Sequence, residues 1–426
     1  MSKQQCFEQL LLGKPAQSDG WLGGIRIEAL ERAKVLNFPS DQHDEWRFTD
    51  LSPLYQYIFQ PVDFFAGLNL ADIEKFLIPD SIRLVFVDGC YNAGLSDLSR
   101  AAGVVVNSLV ESLGDRHLEA HFAQHATWDA DAFTALNTRF FEDGAWIHVS
   151  GEMAEPIHIL HVVTKRDYPS AIYPRCLMVM EPDSRATIVE DYAGLDDGIY
   201  FSNAVTEVVL KSHAQLQHIR LQREASNAFH IGHCSVEVGQ GGVYDAVSVA
   251  LGARVSRHSL QVMQQGDRAE MHLNGLALIA GRQIADTHTL IHHAKANGKS
   301  VQLHKCIADG SAHGVFSGKI IVHKGAAGTD SEQSSRNLLL SDKAHIDTQP
   351  QLEILNDDVK CKHGATVGQI DADALFFLRS RGFSEASARN LLTHAFAAEI
   401  IAKIQVPSLV ETLGLTILER MDGARR

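Results

Sequence analysis

The chain has 426 residues, 45% of them hydrophobic and 21% charged, with a net charge of −14 and an isoelectric point near 5.8. That balance fits a protein able to bury a large core in two or three domains. An acidic chain of this size is a poor phosphate binder, so no nucleic acid is expected among its partners.

The N-terminal stretch MSKQQCFEQLLLGKPAQ has too short an apolar core for a signal peptide, and no apolar run reaches the ~20 residues that a membrane span needs. A cytoplasmic protein without membrane contact is the expectation. The six cysteines, Cys6, Cys90, Cys176, Cys234, Cys306 and Cys361, are far apart and form no CxxC pair, so they read as thiols rather than a disulfide framework.

Residues 1–145 read as an N-terminal helical region. All four tryptophans lie in residues 1–146 (Trp21, Trp46, Trp128, Trp146). WLGGIRIEALERAKVL mixes Ile25, Ile27, Leu30 and Leu36 with charges in a helical pattern. Pro15, Pro39, Pro53 and Pro61 punctuate the region. DAFTALNTRFFEDG, residues 131–144, predicts a short helix ending near Gly144.

From 146 to 370 the pattern changes to a β core. Short β-branched runs recur, among them IHILHVV, RATIVEDY, NAVTEVVL, YDAVSVAL and KIIVHKG, each flanked by Gly, Asn or Asp. No proline occurs between Pro182 and Pro350, which suits strands paired on both sides, because proline has no N–H for the ladder. A sandwich, a barrel or a stacked solenoid would each fit, and no repeat of fixed length is visible. Residues 323–354 are rich in Asn, Gln, Ser, Thr and Asp, which predicts side-chain bonds to backbone at bends or stacked polar ladders.

Residues 371–426 return to helical period. DADALFFLRSRG carries Leu375, Phe376 and Leu378 before a stop at Gly382. The next helix is capped by Ser384, places Leu392, Phe396 and Ile400 on one face and ends before Pro407, after which a final helix follows.

Phosphate-loop, HExxH and GxSxG signatures are absent, which argues against a self-contained NTPase, zincin or common hydrolase. Histidine is abundant, with 22 in all; His272, His288, His292, His293, His304, His313 and His323 fall in the β region. Most single histidines of this kind are edge or core residues rather than ligands. Cys361 and His363 are a sharper pair. On a strand they share one face and could hold one metal between thiolate and imidazole, though two ligands do not complete a site and a buried Cys is commonly just a small hydrophobe.

The stretches EWRFTDL (45–51), ALNTRFFEDGAWIHV (135–149), LLLSDKAHIDTQPQLEILNDDVKCKHGATVGQID (338–371) and LFFLRSRGFSEASARNLLTHAFAAEI (375–400) resemble the SufB/SufD family of iron–sulfur cluster assembly proteins, and SufD more than SufB. The resemblance implies a mainly β fold, a right-handed parallel β-helix core flanked by helical N- and C-terminal regions. It implies a non-catalytic scaffold in a complex with SufB and the ABC-type ATPase SufC, which would dock on residues 371–426. It places iron or a nascent Fe–S cluster at the junction with SufB. By its CxHG motif it makes His363 the ligand and Cys361 a companion thiol, with Lys362 between them either favouring thiolate or facing solvent. A reduced flavin in the complex, and a homodimer through the β-helix edge in isolation, belong to the same expectation. Two other readings stand beside it: a stand-alone β-helix enzyme, and a purely structural partner of SufB.

Overall fold

The computed structural model describes residues 3–13, 20–36, 38–39, 43–62 and 67–423. Its centre is a β-solenoid of about eight turns in which the chain alternates between two sheets. One sheet runs, neighbour to neighbour, from His345–Ile354 through His313–Val322, Ile284–His293, Val255–Gln264 and Phe229–Val238 to the earlier strands. The other runs from Val359–Gly368 through Thr329–Leu339, Lys299–Ala308, Glu270–Ile279 and Val243–Ala250. From Ile157–Val163 and Arg175–Met180 onward every solenoid pairing is parallel.

The coil length is irregular. Val255 pairs with Ile284, 29 residues on, but His313 pairs with His345, 32 residues on. That irregularity is why the sequence shows no fixed repeat. Inward side chains such as Met178, Ile188, Val236, Val262, Leu273 and Ile320 are fully or almost fully buried and form one continuous core. Burying each large aliphatic side chain contributes roughly 1.5–3 kcal/mol.

The first 145 residues are not only helical, which corrects the sequence expectation. Trp21–Val35 and Ala132–Phe140 are helices as expected, but Ile82–Val87 adds to one sheet and Val104–Ser108 to the other. The run IRLVFV is buried almost throughout, so it behaves as an interior strand. Val104–Ser108 pairs antiparallel to Gly144–Val149 and closes the solenoid at this end. The helices and loops pack an aromatic layer on the outer face of the first sheet, with Phe38, Trp46, Phe133, Phe201 and Phe229 among its members. Two buried ion pairs tie this layer down. Arg175 meets Glu207, whose carboxylate also accepts the N–H groups of Ala123, His125 and Ala126. Arg257 meets Asp286, which also accepts from the Thr49 hydroxyl, and the Arg257 guanidinium lies 3.9 Å over the Trp46 ring.

Pro350, which closes the proline-free stretch, lies inside the strand His345–Ile354, an outermost strand of its sheet. The N–H groups of His345 and Leu355 donate to Ala312 and Val322 on the inner neighbour. Alternation along the strand therefore turns position 350 toward the free side, where a missing N–H breaks no ladder bond.

The C-terminal helices are Ala372–Ser380, Glu385–Ile401 and Pro407–Gly423. Ser384 caps the second by accepting the Ser387 N–H, and Gly382, at φ +94°, supplies the left-handed turn before it. Pro407 is the first residue of the last helix, where its absent N–H costs nothing. Ala397, Ile400, Ile401, Leu409, Leu413 and Ile417 pack against Val247, Val249, Leu276 and Ile307 on the outer face of the second sheet. Polar anchors fix the docking. Lys305 Nζ donates to the Phe396 carbonyl at 2.8 Å and meets Glu399; Gln217 donates to the Lys403 carbonyl and accepts the Gln405 N–H. Among the described residues no helix is long and apolar enough to cross a membrane.

Candidate metal or cluster site at the open end of the solenoid

Cys361 and His363 lie on the strand Val359–Gly368, which pairs with Thr329–Leu339 on one side and is the outermost strand of its sheet. Cys361 is in register with Ser331 and His363 with Gln333. Period 2 therefore puts both side chains on the inward face, as their spacing predicts. Cys361 and Val359 pack, partly buried, on the interior core, whereas His363 is exposed because no further coil stacks above it. Neither Cys361 nor His363 makes a side-chain hydrogen bond or ion pair among the described residues, and no third His, Cys, Asp or Glu joins them within ligating reach.

Burial, and then the nearby Asp330 charge, raise the Cys361 thiol above its ordinary value. Lys362 does not oppose this. It points to the other face, where its ammonium lies 2.9 Å from the Glu332 carboxylate. The solvent-facing alternative for Lys362 is the one observed, and Cys361 is a thiol with little intrinsic activation.

Beneath the last coil the interior is polar. The column Met271, Ser300, Ser331, Cys361 starts apolar and ends in hydroxyls and a thiol, and the column Leu273, Gln302, Gln333, His363 ends in amides and an imidazole. Ser300 Oγ and Ser331 Oγ are 2.7 Å apart, and Ser300 also meets His293 Nε2 at 2.8 Å. Thr289 donates to Gln302 Oε1 at 2.8 Å. Ser331, Gln333, Ser335 and Asn337 form a buried polar row along one face of the strand Thr329–Leu339, in which Asn337 Nδ2 donates to Ser335 Oγ at 3.0 Å. His304 fills the space above Gly275, where any Cβ would collide with its ring, and stacks on Phe316 at 4.5 Å.

The other histidines divide by face. His293 and His304 point inward, and burial lowers them to about 4 and about 3, so they are neutral. His288 lies 3.0 Å from Asp286, and His292 meets His323 at 3.1 Å, both outside the solenoid. His313 faces outward beside Asp347, and His272 is half-buried in its strand. None of these seven approaches Cys361 or His363 as a third ligand. Sequence reading did not find the polar columns under the site, because only strand register shows that Ser331 and Gln333 underlie Cys361 and His363.

Residues 15–159 match the SufBD protein N-terminal region, and residues 161–396 match the SufBD core domain of the SUF system of FeS cluster assembly. The chain belongs to the SufBD family. It is 38% identical over 409 residues to an iron–sulfur cluster assembly SufBD family protein of Synechocystis, covering 92% of this chain and 89% of that protein. It is 32% identical over 404 residues to the iron–sulfur cluster assembly protein SufD of Escherichia coli, covering 93% and 92%. The chloroplastic protein ABCI7 of Arabidopsis thaliana is 36% identical over 420 residues, covering 94% and 86%.

Proposed function

We propose that the chain is a non-catalytic scaffold subunit of the SUF system, acting in the cytoplasm, which holds iron or a nascent Fe–S cluster at a junction with SufB. The observation that carries this reading is the unfinished last coil. His363 stands exposed on a strand with a free edge, beside the Cys361 thiol, and the described residues supply no third ligand. An imidazole and a thiol together suit iron, and a second polypeptide adding its edge strand would bring the missing donors. The same free edges invite a second copy when the partner is absent.

Docking of the SufC ATPase on residues 371–426 belongs to the same proposal. The helix Ala372–Ser380 buries no residue, and Phe376 and Phe377 are 74% and 54% exposed, with Phe383 and Leu391 exposed nearby. An apolar patch of this kind is the signature of a protein contact. Motion of that ATPase would shift the junction between closed and open states.

The test is anaerobic co-expression with SufB and SufC, followed by absorption spectroscopy of the purified complex carrying His363 or His363→Ala. Loss of cluster formation with an intact complex supports the assignment. Normal cluster content in the variant would falsify it. Cys361→Ser in the same series separates a ligand role for the thiol from a packing role.

A further inference from the structure

The strand His345–Ile354 of the last coil carries a second group of ligating side chains, on the opposite side of the solenoid wall. His313 and His345 are direct register partners on adjacent parallel strands. Asp347 follows His345 by two residues, so all three side chains stand on one outer face. The Nε2 atoms of His313 and His345 lie 2.8 Å and 3.2 Å from the same oxygen, Asp347 Oδ2. The three ligand atoms all fall within 4.8 Å of one another.

Tetrahedral coordination with bonds of about 2.1 Å spaces ligand atoms about 3.4 Å apart. The observed spacing needs only a slight spreading to admit an ion. The side chain of His345 is 68% exposed, while those of His313 and Asp347 are 25% and 27% exposed. The group is therefore a shallow cup whose open side leaves room for water. Two imidazoles and one carboxylate favour first-row divalent ions over Mg²⁺ or Ca²⁺, which prefer oxygen throughout. The ligands sit on strands whose register is fixed by a continuous ladder from Ile284 to His345 and beyond, so the donors are pre-positioned rather than gathered from loops.

We propose that His313, His345 and Asp347 form a binding site for a divalent transition metal ion, Zn²⁺ or Fe²⁺, with water completing the coordination. It is separate from Cys361 and His363, which belong to the other sheet and face inward. A superficially similar group, His117, His148 and Glu181, lacks this character because the Lys211 ammonium lies 2.6 Å from the Glu181 carboxylate and takes the place an ion would need. Sequence reading noted His313 but neither His345 nor Asp347. The signal was the short HxD spacing in HIDTQ, which becomes a site only when His313 arrives from the preceding coil.

The experiment is titration of the metal-free full chain with Co²⁺, read by visible and near-ultraviolet absorption, with Zn²⁺ as competitor. Saturable binding with d–d bands that persist in Cys361→Ser is expected, because this site holds no sulfur. His345→Gln, and His313→Gln with Asp347→Asn, each weaken Co²⁺ by at least about tenfold, the scale at which loss of even an outer-shell partner is felt. Cys361→Ser/His363→Ala and His117→Gln leave it unchanged. His345 is exposed, so its variant keeps the fold, which circular dichroism verifies. Unchanged affinity in His345→Gln, loss of the d–d bands in Cys361→Ser/His363→Ala, or no saturable binding by the unmodified chain up to millimolar Co²⁺ overturns the proposal.

Discussion

Lys362 Nζ and Glu332 Oε2 lie 2.9 Å apart on the solvent face of the last strand, directly behind Cys361 and His363. Lys362 is exposed and Glu332 half-exposed, so the pair is screened by water and salt and contributes little. Lys362→Ala should leave cluster formation by the assembled complex within about twofold of the parent, in line with that weak coupling. A loss as large as that of His363→Ala, measured by the cluster absorption band, would show that Lys362 acts on the site after all.

The raised thiol of Cys361 makes a kinetic prediction. Iodoacetamide reacts with the thiolate, so Cys361 in the isolated chain should react more slowly at neutral pH than a free cysteine. Its rate should continue to rise beyond the pH at which a free thiol levels off. Peptide-resolved mass spectrometry over a pH series follows this residue alone. Equal rates for Cys361 and a cysteine peptide would mean the thiol is not held on the core as described.

Buried Glu207 depends on Arg175 and on three backbone N–H groups of the N-terminal region. Arg175→Met leaves that carboxylate buried and without its cation. A loss of about 3–5 kcal/mol in urea unfolding is expected, with Arg175→Met/Glu207→Gln recovering part of it. A loss below about 1 kcal/mol, the level of an exposed pair, would mean water reaches the pair freely.

Acid should destabilise the fold in two overlapping stages. The His161 ring lies between Phe86 and Tyr192, and burial lowers it to about 4 from 6.5. Between these values the unfolded chain binds a proton that the folded chain refuses, so stability falls as pH falls. His293 and His304 act in the same direction. Burial alone would raise Glu190, but the hydrogen bond and charge of His218, with the Tyr192 hydroxyl, hold it down at about 2 from 4.5. It too loses stability as pH falls through that lower window. The urea midpoint should decline from pH 7 downward, and His161→Phe should flatten the first stage. Neither ring nitrogen of His161 has a hydrogen-bond partner among the described residues, so this variant should cost little at pH 7. An unchanged pH slope in His161→Phe counts against the assignment.

Lys305 is buried in the second sheet and reaches the helix Glu385–Ile401 through the Phe396 carbonyl, the Glu399 carboxylate and a contact 4.2 Å over the Phe396 ring. Lys305→Met should loosen this helix without unfolding the solenoid. Hydrogen exchange of residues 385–401 should rise at least about tenfold, as expected when a charge-assisted bond of ~1.5–3 kcal/mol is lost. Unchanged exchange would show that the apolar face alone seats the helix.

Local chemistry determined much of this protein before any folding was considered. The period-2 runs and the proline gap from Pro182 to Pro350 fixed a strand-built core, and Ser384 and Gly382 fixed helix ends, because caps and turns depend on neighbours a few residues away. The spacing of Cys361 and His363 already placed them on one face. The strands at Ile82–Val87 and Val104–Ser108 were missed, since short apolar runs carry no period that separates a strand from a helix turn.

Only the tertiary structure decided which strands are left with a free edge, and therefore that Pro350 is harmless and His363 exposed. Stacking also decided that Ser331 and Gln333 underlie the Cys361–His363 pair, and that His313 meets His345 and Asp347. Register between coils is set by ladder hydrogen bonds and inward packing across some thirty intervening residues of irregular length. A one-residue slip would turn each of these groups to the other face, and nothing in the linear order of the residues records where the slip was refused.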